Sequence, residues 1–261
     1  MFGDRHVYCS VDQIADAIPH LKELELGIEI VFDSTETLWP QVRWEDLLEK
    51  ADSIRKANLK ATVHGPFHGI NLGSRDSHIR EFSEAALIAG IETCVSFHSP
   101  LMVLHTGFIP QLAPKSRRKW LDSFISGLER VVEEASKHKV LLALENTYEE
   151  DTELFAEVFE SIPHPHLRMC LDTGHATCFG KVEPLQWVER FADRISHLHL
   201  SDNDGAADLH QSLGAGCVEF QRLLKPLSDS ANTITLTYEV AGSDVPESEI
   251  YFRSIMKELK Q

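Results

Sequence analysis

Short apolar runs alternate with amphipathic helical patterns from one end of this chain to the other, and few folds accept that rhythm. The strand-like runs are residues 6–9, 28–32, 59–63, 101–104, 140–144, 167–171, 195–198 and 233–238, each bounded by Gly, Pro, Asn or Asp. Helical patterns follow at 12–24, 44–57, 76–97, 117–137, 152–161, 184–194, 219–228 and 247–260, with apolar residues returning every three or four positions. Over 261 residues the unit recurs about every 33 residues, room for one strand and one crossover helix, which implies parallel pairing. An open, doubly wound sheet would be expected to carry a Gly-rich phosphate loop after an early strand, and none is present. The pattern therefore predicts a single-domain (β/α)8 TIM barrel over residues 1–261.

Composition narrows the class without naming a chemistry. The 43% hydrophobic and 25% charged content is ordinary globular usage. No apolar stretch reaches the roughly 18 residues of a membrane span, and Asp4, Arg5 and His6 interrupt any signal-peptide pattern, so a cytoplasmic protein is expected. Five widely spaced cysteines with no C-x-x-C pair indicate neither a disulfide framework nor a thiolate zinc site. A net charge of -16 disfavours loose adhesion to nucleic acid or an anionic membrane. A homo-oligomer formed through exposed helix faces stays open.

From the third run onward, each strand-like segment ends on a histidine or a carboxylate: His64, His105, Glu145, Asp172, His199 and Glu239. In the last run Thr233, Thr235, Thr237 and Glu239 share one face while Ile234, Leu236, Tyr238 and Val240 share the other, so the threonines and Glu239 are expected inside the barrel. Strand carboxyl ends form the catalytic mouth of such barrels, and these six side chains should converge there. Glu145, Asp172, His199 and Glu239 come from four consecutive strands and offer the oxygen and nitrogen donors that a divalent ion takes. The competing explanation, buried ion pairs or helix caps, lacks Lys or Arg at the inner strand positions.

Three further candidates lie in loops. His175 follows Asp172 by three residues, and Asp208 and His210 alternate in a Gly-punctuated segment after strand seven. Together with His64 and His105 they are read either as additional ligands or as a hydrogen-bonding shell that orients substrate. His197 lies one layer below His199 and is expected to be a satisfied interior group, with Glu29 in a supporting role. The basic run Lys115, Arg117, Arg118 and Lys119 is expected to form a solvated face.

The ordered motifs His64-Gly65-Pro66-Phe67, His105-Thr106-Gly107, Glu145-Asn146-Thr147, Asp172-Thr173-Gly174-His175, His199-Leu200-Ser201-Asp202 and the segment 208–216 resemble the xylose-isomerase-like barrel superfamily, which includes sugar isomerases, epimerases and the endonuclease IV family. The resemblance runs from Gly27-Ile28-Glu29-Ile30 to Tyr238-Glu239. In ketose epimerases it implies one divalent ion (Mn, Zn, Mg or Co) at Glu145, Asp172, His199 and Glu239, with the two glutamates also moving protons. In endonuclease IV it implies up to three zinc ions on all nine positions, with Glu145 bridging.

Two chemistries follow. An isomerase would stabilise an enediolate on a small sugar, sugar phosphate or polyol, with Glu145 and Glu239 as catalytic base and acid. A phosphodiesterase acting on DNA abasic sites would direct an activated water at phosphorus. The loop after strand five carries Glu149, Glu150, Asp151 and Glu153, four acids expected at the rim, where they would repel a duplex. On that ground the isomerase or epimerase reading, with a small carbohydrate as substrate, is placed first and the zinc-dependent hydrolase second.

Overall fold

A computed structural model of the chain describes residues 2–38, 40–230 and 232–259. Eight parallel strands close into a barrel in sequence order, β1 (Phe2–Ser10), β2 (Gly27–Val31), β3 (Ala61–His64), β4 (Leu101–His105), β5 (Leu141–Glu145), β6 (Leu167–Asp172), β7 (Ile195–Leu200) and β8 (Ile234–Tyr238). The helices are α1 (Ile14–Leu24), α2 (Trp44–Ala57), α3 (Ser77–Phe97), α4 (Pro114–Lys137), α5 (Glu153–Ser161), α6 (Thr173–Cys178), α7 (Pro184–Phe191), α8 (Phe220–Ser228) and α9 (Val245–Glu258). The barrel expectation is borne out, and no helix among the described residues is long and apolar enough to cross a membrane.

Several boundaries differ from the sequence reading for identifiable reasons. His64, His105, Glu145 and Asp172 are the last residues of their strands rather than the first residues beyond them, because neighbouring strands still pair at that level. The first helical pattern opens with a 3-10 turn at Val11–Gln13 before α1 begins. Asp76 is a cap, its Oδ1 accepting the His78 N–H at 2.9 Å, so α3 starts one residue later than the pattern suggested. Pro114 starts α4 three residues early, as its fixed φ suits a first helical position. The predicted end of the last helix, Lys260, lies outside the described residues.

The core has two parts. Between strands and helices lies a large apolar layer built on residues such as Phe124, Phe155, Trp187 and Phe220. Inside the barrel the filling is uneven: Leu101, Val103, Ala143 and Cys170 form a small apolar plug on the β4–β6 side. The β1, β2, β3, β7 and β8 side is polar, with His6, Glu29, Thr62, His197 and Thr237 all buried. Thr235 and Thr237 face inward as expected, since both bond to His197, whereas Ile234, Leu236 and Tyr238 are buried on the opposite face. Thr233 falls just before β8 and lines a cavity at the other end of the barrel.

Candidate metal centre

Strand register sets the upper layer of the barrel. His105 and Glu145 are partners across β4 and β5, and Asp172 and His199 are partners across β6 and β7. Glu239 follows β8 directly, its N–H donating to Leu200 O at 3.0 Å. Asn146 ties the two middle strands together at this level: its Nδ2 donates to Asp172 O at 3.0 Å and its Oδ1 accepts the Asp172 N–H at 2.9 Å.

Loop residues reach the same place by local chemistry. Asp172 Oδ1 accepts the His175 N–H at 2.6 Å and so caps α6, which turns His175 back over the mouth and leaves Oδ2 pointing inward. A Cβ on Gly174 would stand 2.5 Å from Ser201 Oγ, so this turn has no room for a side chain. Asp202 is fully buried and organises the loop that carries Asp208 and His210. Its Oδ1 accepts the N–H groups of Asn203 at 2.9 Å and Val218 at 3.0 Å, and its Oδ2 accepts Gly214 N–H at 2.9 Å. Paired backbone bonds between Asp202 and Gln211 complete the closure.

All nine candidate residues meet at the mouth, in three groups. One donor atom from each of Glu145, Asp172, His199 and Glu239 lies within 4.8 Å of the others, with His199 Nδ1 at 3.4 Å from Glu145 Oε1 and 3.3 Å from Glu239 Oε2. His64 Nε2 and His105 Nε2 stand 3.3 and 3.2 Å from Glu145 Oε2, so Glu145 faces a separate group with each oxygen. A third, looser group gathers on Asp208 Oδ2, with His175 Nε2 at 3.3 Å and His210 Nε2 at 3.0 Å, but its three donor atoms do not all lie within 4.8 Å of one another as those of the other two groups do. Two ligands held at about 2.0–2.1 Å from one tetrahedral ion stand roughly 3.3 Å apart, so these distances fit the ligands of an ion as well as hydrogen bonds from protonated rings.

Hydrogen bonding explains why such pairs need a cation or protons between them. His64, His175 and His210 each direct Nδ1 at a backbone carbonyl, those of Gly65 (2.9 Å), Asn146 (3.0 Å) and Glu239 (2.7 Å). A carbonyl only accepts, so the ring proton sits on Nδ1 and a neutral ring turns a bare Nε2 lone pair toward a carboxylate oxygen. Glu145 Oε1, Asp172 Oδ2, His199 Nδ1, Asp208 Oδ1 and Glu239 Oε2 are all buried without a hydrogen-bond partner. That donor set suits divalent ions that accept oxygen and imidazole ligands.

Without an ion, the titration of the group is strained in opposite directions. Burial pushes the Asp172 carboxyl up to about 8, and the Glu239 and Glu145 charges add to it against the pull of His175. Burial also opposes charge on Glu145, but His199 and His105 outweigh it and hold that carboxyl well below the usual range. Burial would lower both His199 and His175; Cys170 and then Glu145, Glu29 and Glu239 instead hold His199, and Asp172, Asp208 and Glu145 hold His175, well above the ordinary imidazole value. Asp208 lifts His210 to about 9.

Above the three groups opens a cavity of about 410 Å³, walled by Tyr8, Phe67 and Val240 as well as by candidate ligands. The role of Tyr8 was not legible in the sequence, because a tyrosine in a strand reads as an ordinary strand residue. Its place on the inner face of β1, two residues beyond inward His6, is the signal that alternation could have supplied.

The expected rim of acids after β5 needs correction. Glu149 is buried, its carboxylate accepting from Thr106 Oγ1 and, at 2.7 Å, from Thr147 N–H, so it braces the β4 and β5 loops against each other. Glu150 pairs with Lys181, and Glu153 with Arg190. The repulsive rim is thereby reduced, and with it the case against an anionic substrate. In the basic run, Arg118 pairs with Asp122 and Glu157 on the solvated face, while the Arg117 guanidinium stands 5.1 Å over the Phe108 ring.

Residues 25–259 match the model of the family described as xylose isomerase-like TIM barrel. The chain belongs to that family. Among solved structures, the xylose isomerase-like barrel of this chain is similar to the TTHB071 protein from Thermus thermophilus, studied after soaking with ZnCl2, at 26% identity and a TM-score of 0.82 over 98% of this chain and 99% of that one. A D-tagatose 3-epimerase-like protein shares the fold at a TM-score of 0.87 and 23% identity, covering 99% and 98% of the two chains. A probable endonuclease 4 of Chloroflexus aurantiacus is 27% identical over 195 residues, 65% of this chain and 67% of the relative.

Proposed function

We propose that this chain is a divalent-metal-dependent phosphoester hydrolase of the endonuclease IV kind, which reverses the order in which the sequence alone ranks its two chemistries. The observation that carries this reading is the pinning of His64, His175 and His210 by backbone carbonyls, with each Nε2 turned toward a carboxylate oxygen. All three line the cavity, and there each Nε2 stands within 3.3 Å of a carboxylate oxygen, an arrangement that an ion between the two atoms would satisfy.

His64, His105 and Glu145 would hold one ion, Glu145, Asp172, His199 and Glu239 a second, and His175, Asp208 and His210 a third. Bound there, the ions would supply an acidified water and the positive charge that a phosphoester needs on its attacked and departing oxygens. Three divalent ions among four ligand carboxylates and neutral histidines, with Glu29 behind His199, leave about one positive charge uncompensated, which favours an anionic substrate over a neutral sugar even on a chain of net charge -16. Glu145 gives one oxygen to each of two groups and fixes their separation. Tyr8 and Phe67 bound the space in which the substrate would lie.

The similarity to a probable endonuclease 4 makes an abasic-site duplex the first substrate to assay. Incubation of zinc-loaded protein with an abasic duplex and with a small phosphodiester should give strand scission or ester hydrolysis that chelation abolishes.

A sugar epimerase remains the second reading, favoured by one observation: the four-residue group at Glu145, Asp172, His199 and Glu239 is complete for a single ion beneath a cavity of small-ligand size. Exchange of substrate C–H protons with solvent across a panel of ketoses and ketose phosphates, with no phosphoester cleavage, would reinstate it.

A further inference from the structure

One layer below the metal centre, Glu29 lies in the middle of β2 with no exposure to solvent. Its Oε2 accepts from Thr62 Oγ1 and Thr237 Oγ1, both at 3.0 Å, and lies 3.1 Å from His197 Nε2. Its Oε1 faces His199 Nε2 at 2.8 Å. His197 is itself held from both sides, Nδ1 by Thr235 Oγ1 at 2.7 Å and Nε2 by Thr237 Oγ1 at 3.0 Å. A carboxylate buried among hydroxyls and imidazoles is costly to keep charged, and barrel filling alone does not require it. On the other side of the interior that filling is done by Val103, Ala143 and Cys170.

His199 also differs from the other histidines of the centre. His64 and His210 direct Nδ1 at carbonyls, and His175 Nδ1 stands between Asn146 O and Glu145 Oε1 at 3.2 Å, but His199 alone of these four turns Nδ1 toward Glu145, Asp172 and Glu239 with no carbonyl bond and sets Nε2 against the deeper carboxylate of Glu29. At 2.8 Å the Nε2 and Oε1 atoms are too close for an ion between them, since two ligands of one ion stand roughly 3.3 Å apart. A proton must fill that gap.

We propose that Glu29 is a positioning residue of the metal centre: it keeps the His199 proton on Nε2, leaves Nδ1 bare toward Glu145, Asp172 and Glu239, and adds negative charge behind the ring that strengthens its hold on a divalent ion. This inference rests on the metal-centre reading above. Although Nε2 and Oε1 stand 2.8 Å apart, neither has a well-aligned hydrogen bond, so the ring stands off the straight N–H line to Oε1. Thr62, Thr237 and His197 hold the other oxygen, so the carboxylate cannot swing away from His199.

The test is chelator-competed Co(II) titration of full-length wild type, Glu29→Gln and His199→Ala, followed through the Co(II) d–d absorption and imidazole 15N spectra. Glu29→Gln keeps the shape and removes the charge; ion binding that depends on His199 should weaken roughly 10- to 100-fold, other ions should bind as in wild type, and the His199 Nε2–H signal should shift or vanish. Wild-type Co(II) affinity and an unchanged His199 tautomer in Glu29→Gln, with His199→Ala impaired, would overturn the role of Glu29 and leave the metal centre standing. Failure of wild type to bind Co(II) would overturn both. Should Glu29→Gln not fold, Thr237→Val keeps the charge but loosens Oε2: affinity about threefold to tenfold weaker supports the proposal, and wild-type affinity overturns it.

Discussion

Asp202 carries no candidate chemistry of its own, yet the loop presenting Asp208 and His210 is built on its carboxylate. In Asp202→Asn the amide oxygen can still accept from Asn203 and Val218, but both bonds change from charge-assisted to neutral, at about 1 kcal/mol each. The amide nitrogen then takes the place of Oδ2, where Gly214 N–H needs an acceptor, and an unpaired buried donor costs a further ~1–3 kcal/mol. The loop should open about 3–5 kcal/mol more easily, which corresponds to at least roughly 100-fold faster exchange of the amides that close it. Native-state hydrogen exchange at Gly214 and Val218 is the assay, with β5 and β6 amides as the internal control. The group on Asp208 should lose its ion first under chelation, while the two groups sharing Glu145 keep theirs. Unchanged protection at Gly214 and Val218 would refute the claim that Asp202 organises the loop.

Other consequences are open to direct measurement. Burial, then repulsion from His197, depresses the His6 imidazole to about 4, below its unfolded value of 6.5. The unfolded chain therefore binds the extra proton between those values, and stability should fall by about 3 kcal/mol as pH drops from 6.5 to 4. Urea midpoints of His6→Phe should show a flatter acid limb than wild type, and parallel profiles would contradict this. Gly174→Ala should destabilise the chain by about 1–3 kcal/mol, because the new Cβ must displace Ser201 Oγ from 2.5 Å; an unchanged thermal midpoint would argue against the tight turn. Glu145→Ala should remove two ions per chain and His210→Ala only one, counted by elemental analysis after dialysis against a weak chelator; equal losses would contradict the sharing of Glu145.

Periodicity was sufficient for the barrel and for the level of the site, because strand alternation and strand ends are written directly in residue order. Glu145, Asp172, His199 and Glu239 were legible for that reason. A supporting role for Glu29 was legible too, but not its partners, since its contacts with Thr62, His197, His199 and Thr237 join strands distant in the sequence. Glu149 was misplaced at the rim because composition reports an acid, not the direction in which a loop turns it; its contact with Thr106 crosses between loops. Whether His64, His175 and His210 face substrate or metal was open in the sequence, as ring orientation depends on which carbonyl each Nδ1 meets.

The most direct test is elemental analysis of the wild-type chain, expressed with zinc available and purified without chelator, with ions counted per chain. Three are expected, one on each donor group. A single tightly bound ion, retained after exhaustive dialysis and indifferent to His64→Ala and His210→Ala, would contradict the three-group reading.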